Sequence, residues 1–366
     1  MPASVWRLQA PCLKVSMAHP VNLVAVASAV PPHEFKQRDV AAAAHHSFAE
    51  RYPDFERLAR VFETSGIDRR YAVRPLDWYF QPLGWPERSA AYIAGACDLF
   101  VAATTKALDA AGLQASEVDT VVTVSSTGIA TPSLDARVAQ RLGFRRDIDR
   151  VPVFGLGCAG GVSGFSIASR LAASRPGSVV LLVAVEVCTL AFRLDLLTKA
   201  NIVATALFGD GAAACILRSG TGGLATVEMT GQHMWPDTLD VMGWNVDPQG
   251  FGVIFDRAIP PFAEERIRPA IAGILDRKGL SLSDIDRFTC HPGGKKVIDA
   301  LESALSLGQG ALDHERSVLA EYGNMSAPTA LFVLERAIQA GLPERTLLTA
   351  MGPGFTVSCA SLQQAA

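Results

Sequence analysis

Three residues in this chain have the types and settings of a covalent catalytic centre. Cys158 lies in Gly157–Cys158–Ala159–Gly160–Gly161, between the apolar stretch Val151–Leu156 and a small-residue helical stretch running to about Ser174. A thiol at a helix N-terminus feels the positive end of the helix dipole, which lowers its pKa and favours the nucleophilic thiolate. The flanking glycines would let a carbonyl approach the sulfur closely. A buried structural cysteine fits the same pattern. His291 follows a short predicted strand and precedes Pro292–Gly293–Gly294, which suits an imidazole at a cavity edge or an ordinary loop histidine. Asn324, in Tyr322–Gly323–Asn324–Met325–Ser326, precedes an apolar helix and suits either a carboxamide donor or a plain N-cap. The order Cys, His, Asn, each at a strand end or in a loop, is more specific than any one of them. Such a centre suits nucleophilic catalysis by the thiol.

These residues need elements to hold them. Asn22–Ala29 reads as a strand closed by Pro31–Pro32. Helices are predicted over Gln37–Arg51, Asp54–Ser65, Ala90–Ala111 and Ser133–Gly143, and buried strands over Thr120–Ser125 and Ser178–Val185. Phe208–Gly211 reads as a turn before the strand Ala212–Leu217. A second α/β alternation follows, with strands at Val253–Asp256, Arg287–Cys290, Thr346–Ala350 and Thr356–Ser361. Its helices are at Pro261–Lys278, Lys295–Ser306 and Ala327–Ala340. The turns Phe208–Gly211 and Gly352–Phe355 each precede a small-residue strand, which hints at an internal duplication. The reading is an N-terminal extension over 1–21 and two halves, 22–218 and 219–366, packed as one layered α/β unit.

The bulk numbers agree with an enzyme of this kind. The 366 residues suit two halves, and 49% hydrophobic with 19% charged residues suits a folded chain with a large core. A net charge of −3 gives no reason to expect nucleic-acid binding. Seven cysteines are spread singly, with no CxxC pair, so neither a zinc site nor a disulfide framework is expected. The N-terminus lacks a signal-peptide core, and apolar runs such as SVVLLVAVEV are too short to span a bilayer. A cytoplasmic location is expected. Met1 or Met17 could be the start.

VFGLGCAGGVSG, CHPGGKKV and EYGNMSAPT resemble the three catalytic motifs of the type III polyketide synthases, the chalcone synthase relatives. ALFGDGAAA and MGPGFTVS resemble two further segments, and the similarity runs from about Asn22 to the C-terminus. The resemblance implies a thiolase-like duplicated α-β-α-β-α fold, a homodimer and coenzyme A thioesters as substrates, with no metal or redox cofactor. It makes Cys158 the nucleophile. His291 becomes the partner of the thiolate, and Asn324 the group that orients malonyl-CoA and holds the enolate left by decarboxylation. Phe208 matches a gating phenylalanine, and Phe251 is the choice for a second. Arg57 and Arg60, three apart on one helix face, match basic residues at the coenzyme A entrance, where a third position reads Thr64. Gly293 and Gly294 belong to the same coenzyme-binding reading. Ser126, Thr127, Thr131, Cys188, Ala191, Gly243 and Ser326 map to the cavity wall, with Thr131 where plant members cross the dimer interface. Two threonines of chalcone synthases are Cys188 and Ala191 here, which could open space for an alkyl starter and give an alkylpyrone or alkylresorcinol; Met242 or Trp244 could refill it. An aromatic or malonyl starter, a ketoacyl carrier-protein synthase of the same superfamily, a cysteine hydrolase and a silent scaffold are the alternatives. Direct use of malonyl-CoA, release of carbon dioxide and acylation of the thiol separate them.

Overall fold

The computed structural model describes residues 19–256 and 258–365. The N-terminal extension other than 19–21, the alternative start at Met17 and Cys12 lie outside the described residues.

Nine strands form one sheet, in the order Arg287–Cys290, Arg345–Gly352, Thr356–Gln364, Ala225–Met234, Val21–Ala29, Asp210–Ser219, Val179–Val187, Thr120–Val124, Asp149–Val153. The two halves of the chain meet where Val21–Ala29 pairs with Ala225–Met234, through only Asn22↔Thr226 and Leu23↔Ala225. Two helices, Gly160–Ala173 and Thr329–Ala340, pack between the halves of this sheet and against each other. They are buried almost all round, as a helix flanked on two sides must be. Trp85–Ala111 covers the outer face of the N-terminal half, and Ile259–Asp276 covers that of the C-terminal half. The layers therefore run helix, sheet, helix, sheet, helix, as the resemblance implied.

Trp85–Ala111 starts five residues earlier than predicted and is the only helix among the described residues long and apolar enough to cross a membrane, with an 18-residue window of mean hydropathy 1.2. Just over half of that window, 56%, is buried inside the protein, which makes it a core helix. Its apolar residues pack on the sheet and its polar ones face outward.

Several elements escape sequence reading. Ala225–Met234 carries Glu228, Thr230 and Gln232 at alternate positions, bonded to Arg345, Ser166 and Ser163, and a Gly in its middle, which masks its alternating burial. The hairpin Met242–Asp247 with Gly250–Phe255 replaces the single expected strand Val253–Asp256. Lys199–Leu207 is a short helix held at its start by Thr198, whose hydroxyl accepts the Asn201 N–H at 3.2 Å. Phe208–Gly211 is only partly a turn, because the strand already begins at Asp210.

Candidate active site

Cys158 sits in a 3-10 turn, Gly157–Ala159, that runs directly into the central helix Gly160–Ala173. The loop before it is held by Ser126, whose hydroxyl accepts the N–H groups of Gly155 at 3.1 Å and Gly157 at 3.4 Å. The glycines of this segment serve packing more than substrate access. A Cβ on Gly161 would lie 2.2 Å from the Ala327 carbonyl oxygen, and Gly157 takes φ +46° with Pro353 against it. The nucleophile elbow is thus clamped between the Asn324 loop and the C-terminal Gly–Pro–Gly turn.

His291 extends the strand Arg287–Cys290, with its N–H donated to the Thr349 carbonyl at 2.9 Å. The imidazole is 6% exposed, and neither ring nitrogen has a protein partner. Just upstream, the buried Glu315 carboxylate accepts the Cys290 N–H at 2.8 Å and fixes the end of the strand.

Asn324 is not a helix N-cap, since the helix begins at Thr329 behind Pro328. It forms a two-way bridge with the Phe208 segment, donating its N–H to the Leu207 carbonyl at 2.8 Å and accepting the Gly209 N–H at 3.0 Å. Its side chain accepts the Ser326 N–H at 2.8 Å and donates to the Gly293 carbonyl at 3.1 Å. Ser326 takes φ +60°, an unusual conformation for a non-glycine residue. Its side chain and that of Asn324 lie near enough to Cys158 to favour the thiolate.

Burial pushes the Cys158 thiol up to about 11, with the nearby Glu186 carboxyl adding to the rise. The Ser326 and Asn324 hydrogen bonds oppose it without overturning it. The expectation of a lowered thiol pKa is therefore corrected: burial outweighs the neighbouring groups that favour the thiolate. Burial also holds His291 down at about 4. Burial thus favours the uncharged form of each group.

Glu186 was missed in the sequence, although it is the only charge in the strand Val179–Val187. It accepts the Ser126 N–H at 2.9 Å and the Thr127 hydroxyl at 2.7 Å. Burial outweighs these bonds and raises its carboxyl to about 8. An unfolded glutamate titrates at about 4.3, so between there and pH 8 the native state holds the extra proton. The stability this group contributes is complete below the unfolded value and is lost as pH rises through about 8. Glu186→Gln should remove that loss. Its melting temperature relative to wild type should be higher at pH 8.5 than at pH 5.5, and a pH-independent difference would show that Glu186 is ionised in the folded protein.

The expected cavity residues separate into groups. Cys188 and Ala191 lie on the 3-10 turn Cys188–Ala191 and line an apolar pocket with Phe208, Tyr79, Phe80 and Phe192. Thr127 and Phe251 line a second, more polar pocket with Arg88 and Tyr92. Gly243 lies on the hairpin strand Met242–Asp247. Thr131 is exposed, and this chain alone does not bring it to the cavity. Phe208 meets Trp244 edge to face at 6.2 Å, whereas Phe251 stacks on the far side of Trp244 at 5.7 Å. Arg57 and Arg60 are exposed on Phe55–Thr64, a helix packed against Lys199–Leu207, whose end carries Phe208. Arg57 is paired with Asp54 at 2.9 Å, while Arg60 has no carboxylate within 4.0 Å among the described residues. Gly294 leads into the helix Lys295–Leu305.

Comparison with known families decides which chemistry this arrangement belongs to. Residues 83–221 match the N-terminal domain of chalcone and stilbene synthases, and residues 226–364 match the C-terminal domain. The chain belongs to this family, the type III polyketide synthases. The 1,3,6,8-tetrahydroxynaphthalene synthase of Streptomyces peucetius subsp. caesius is 38% identical over 342 residues, covering 91% of this chain and 90% of that protein. The crystal structure of the 1,3,6,8-tetrahydroxynaphthalene synthase from Streptomyces coelicolor A3(2), a bacterial type III polyketide synthase, superposes with a TM-score of 0.89 at 29% identity, covering 94% of this chain and 99% of that one. CsyB complexed with CoA-SH superposes with a TM-score of 0.87 at 25% identity, covering 94% and 100%. As a type III polyketide synthase, the chain is an acyltransferase of the decarboxylative condensing class. The thiolase-like fold is common to it and these relatives.

Proposed function

We propose that this type III polyketide synthase carries its growing chain on Cys158 and drives malonyl-CoA decarboxylation with His291 and Asn324. The Asn324 side chain lies near Cys158 and donates to the carbonyl of Gly293, two residues after an imidazole with no protein partner, and this supports the reading. In loading, the thiol proton passes to His291 as sulfur attacks the acyl-CoA carbonyl, and His291 returns it to the departing coenzyme A thiolate. In extension, malonyl-CoA loses carbon dioxide and leaves an enolate, whose oxygen accepts from Asn324 and His291. The enolate carbon attacks the Cys158 thioester, the new carbon–carbon bond forms, the carbon–sulfur bond breaks, and the chain is two carbons longer. The steps require no metal or redox cofactor.

Arg57 and Arg60 are proposed to meet the coenzyme A phosphates at the mouth of the path that ends at Phe208, with Gly293 and Gly294 beside it. Trp244 touches Phe208 directly, so it joins Phe208 in the gate, with Phe251 behind it. A second copy is proposed to cover Ile129 and Phe154, which are 54% and 57% exposed near Thr131 and the Cys158 elbow. The substrates, intracellular thioesters, suit a cytoplasmic enzyme.

The apolar pocket beside Cys188 and Ala191 supports an alkyl starter and an alkylpyrone or alkylresorcinol product. Each buried CH₂ adds about 0.8 kcal/mol, so longer starters should be preferred until the pocket is full. Mass spectrometry of products from malonyl-CoA with a panel of acyl-CoA starters tests this. Ala191→Trp should shift the profile to shorter starters. Products from malonyl-CoA alone, with no response to Ala191→Trp, would move the assignment to tetrahydroxynaphthalene, the product named for the Streptomyces relatives.

A further inference from the structure

Arg70 is a guanidinium 2% exposed, and no carboxylate lies within 4.0 Å of it among the described residues. The buried Asp210 carboxyl attracts it without direct contact, so the position of the guanidinium must be held by other bonds. Here the bonds converge on one segment. One terminal nitrogen donates to the carbonyls of Thr205 at 2.7 Å and Phe208 at 2.9 Å. The other donates to the Ala206 carbonyl at 2.6 Å and to the Gln37 side-chain oxygen. Gln37 in turn donates to the same Ala206 carbonyl at 3.0 Å and to the Ser65 hydroxyl at 3.1 Å.

Thr205 and Ala206 are in the last turn of the helix Lys199–Leu207, where carbonyls lack intrahelical partners and the dipole is negative. Arg70 satisfies them and fixes where the helix stops. The next residues are the ones the site uses. Phe208 follows, and the flanking Leu207 carbonyl and Gly209 N–H make the two backbone bonds to Asn324. The crossing has no slack: a Cβ on Gly209 would lie 2.4 Å from the Tyr322 carbonyl oxygen and 3.3 Å from the Arg70 Cβ. One on Gly323 would lie 2.9 Å from the Leu207 carbonyl oxygen.

We infer that Arg70 is a positioning residue for decarboxylation: its guanidinium fork pins the end of the helix Lys199–Leu207 and thereby sets the place of both Asn324 and Phe208. The inference rests on the role proposed for Asn324. Cys158 provides an internal comparison, because its elbow is held by Ser126 and the Gly–Pro–Gly turn as well as by the Asn324 loop, and should respond less than Asn324 does.

The test compares wild type with Arg70→Lys, Arg70→Met and the milder Gln37→Ala, which removes one acceptor of the fork. Lysine keeps the charge but cannot reach four oxygens on two parallel arms. For folded protein, the kcat for carbon dioxide release from malonyl-CoA should fall about tenfold or more in Arg70→Lys and further in Arg70→Met. Gln37→Ala should show a smaller loss of the same sign. Alkylation of Cys158 by iodoacetamide should change by a smaller factor than carbon dioxide release does. Hydrogen exchange should speed up in the peptides spanning 205–211 and 322–328, and not in 155–165. If Arg70→Met does not fold, Arg70→Lys and Gln37→Ala carry the comparison. Variants that lose melting temperature yet keep wild-type decarboxylation per folded molecule, with unchanged exchange in 322–328, would overturn the inference. Wild type that releases no carbon dioxide would instead refute the decarboxylase role of the site, and Arg70 with it.

Discussion

Cys158→Ala is expected to eliminate condensation products while leaving the fold intact. The sulfur is the only group at the elbow that can hold the chain covalently, and removal of a covalent nucleophile costs on the order of a millionfold where that has been measured in a hydrolase. The substitution removes one atom from a partly buried site, so the melting temperature should change little. Intact-protein mass spectrometry after incubation with a starter acyl-CoA should show the acyl mass on wild type and none on the variant. The variant should still release carbon dioxide from malonyl-CoA, because His291 and Asn324 are untouched and stand on other elements. An acyl adduct persisting on the variant, for example at Cys188, would reassign the nucleophile. Cys188 is fully buried, and burial drives its thiol pKa well up, so it is a poor rival.

Asn324→Ala should show the complementary defect. Its amide lies near Cys158 and donates to the carbonyl of Gly293, two residues after His291, so it can face an enolate oxygen where negative charge develops. Loss of one such donor in a dry site slows the step by about a hundredfold or more. Carbon dioxide release from malonyl-CoA should fall by that factor, while acyl loading of Cys158 should persist and remain visible by mass. The backbone bonds of residue 324 to Leu207 and Gly209 do not depend on its side chain, so the Phe208 bridge should survive. Unchanged carbon dioxide release would remove Asn324 from the decarboxylation step. Together the two variants separate loading from extension.

The family and the class of fold were both legible in the linear chain. Glycines and small residues around Cys158, a strand ending at His291 and a glycine turn at Asn324 are local features, and local features are written in consecutive residues. Amphipathic and fully apolar runs marked most helices and the buried strands for the same reason. Other outcomes depend on residues that only folding brings together. The thiol pKa depends on what covers the sulfur, and the groups that surround Cys158 come from Glu186 and the Asn324 loop, far away in the chain. The cavity wall was likewise not legible. Cys188 and Ala191 face one pocket and Thr127 and Phe251 another, because the turn at 188–191 and the unforeseen hairpin at 242–255 direct their side chains differently. Arg70 gave no signal at all in Asp68–Arg69–Arg70–Tyr71, since an arginine beside an exposed one reads as surface. Its burial is set by the strand pairing of Phe35 with Arg70, which turns that side chain inward onto the helix end at Thr205–Phe208. Long-range pairing decides which of two adjacent arginines meets water, and composition and spacing carry no record of it.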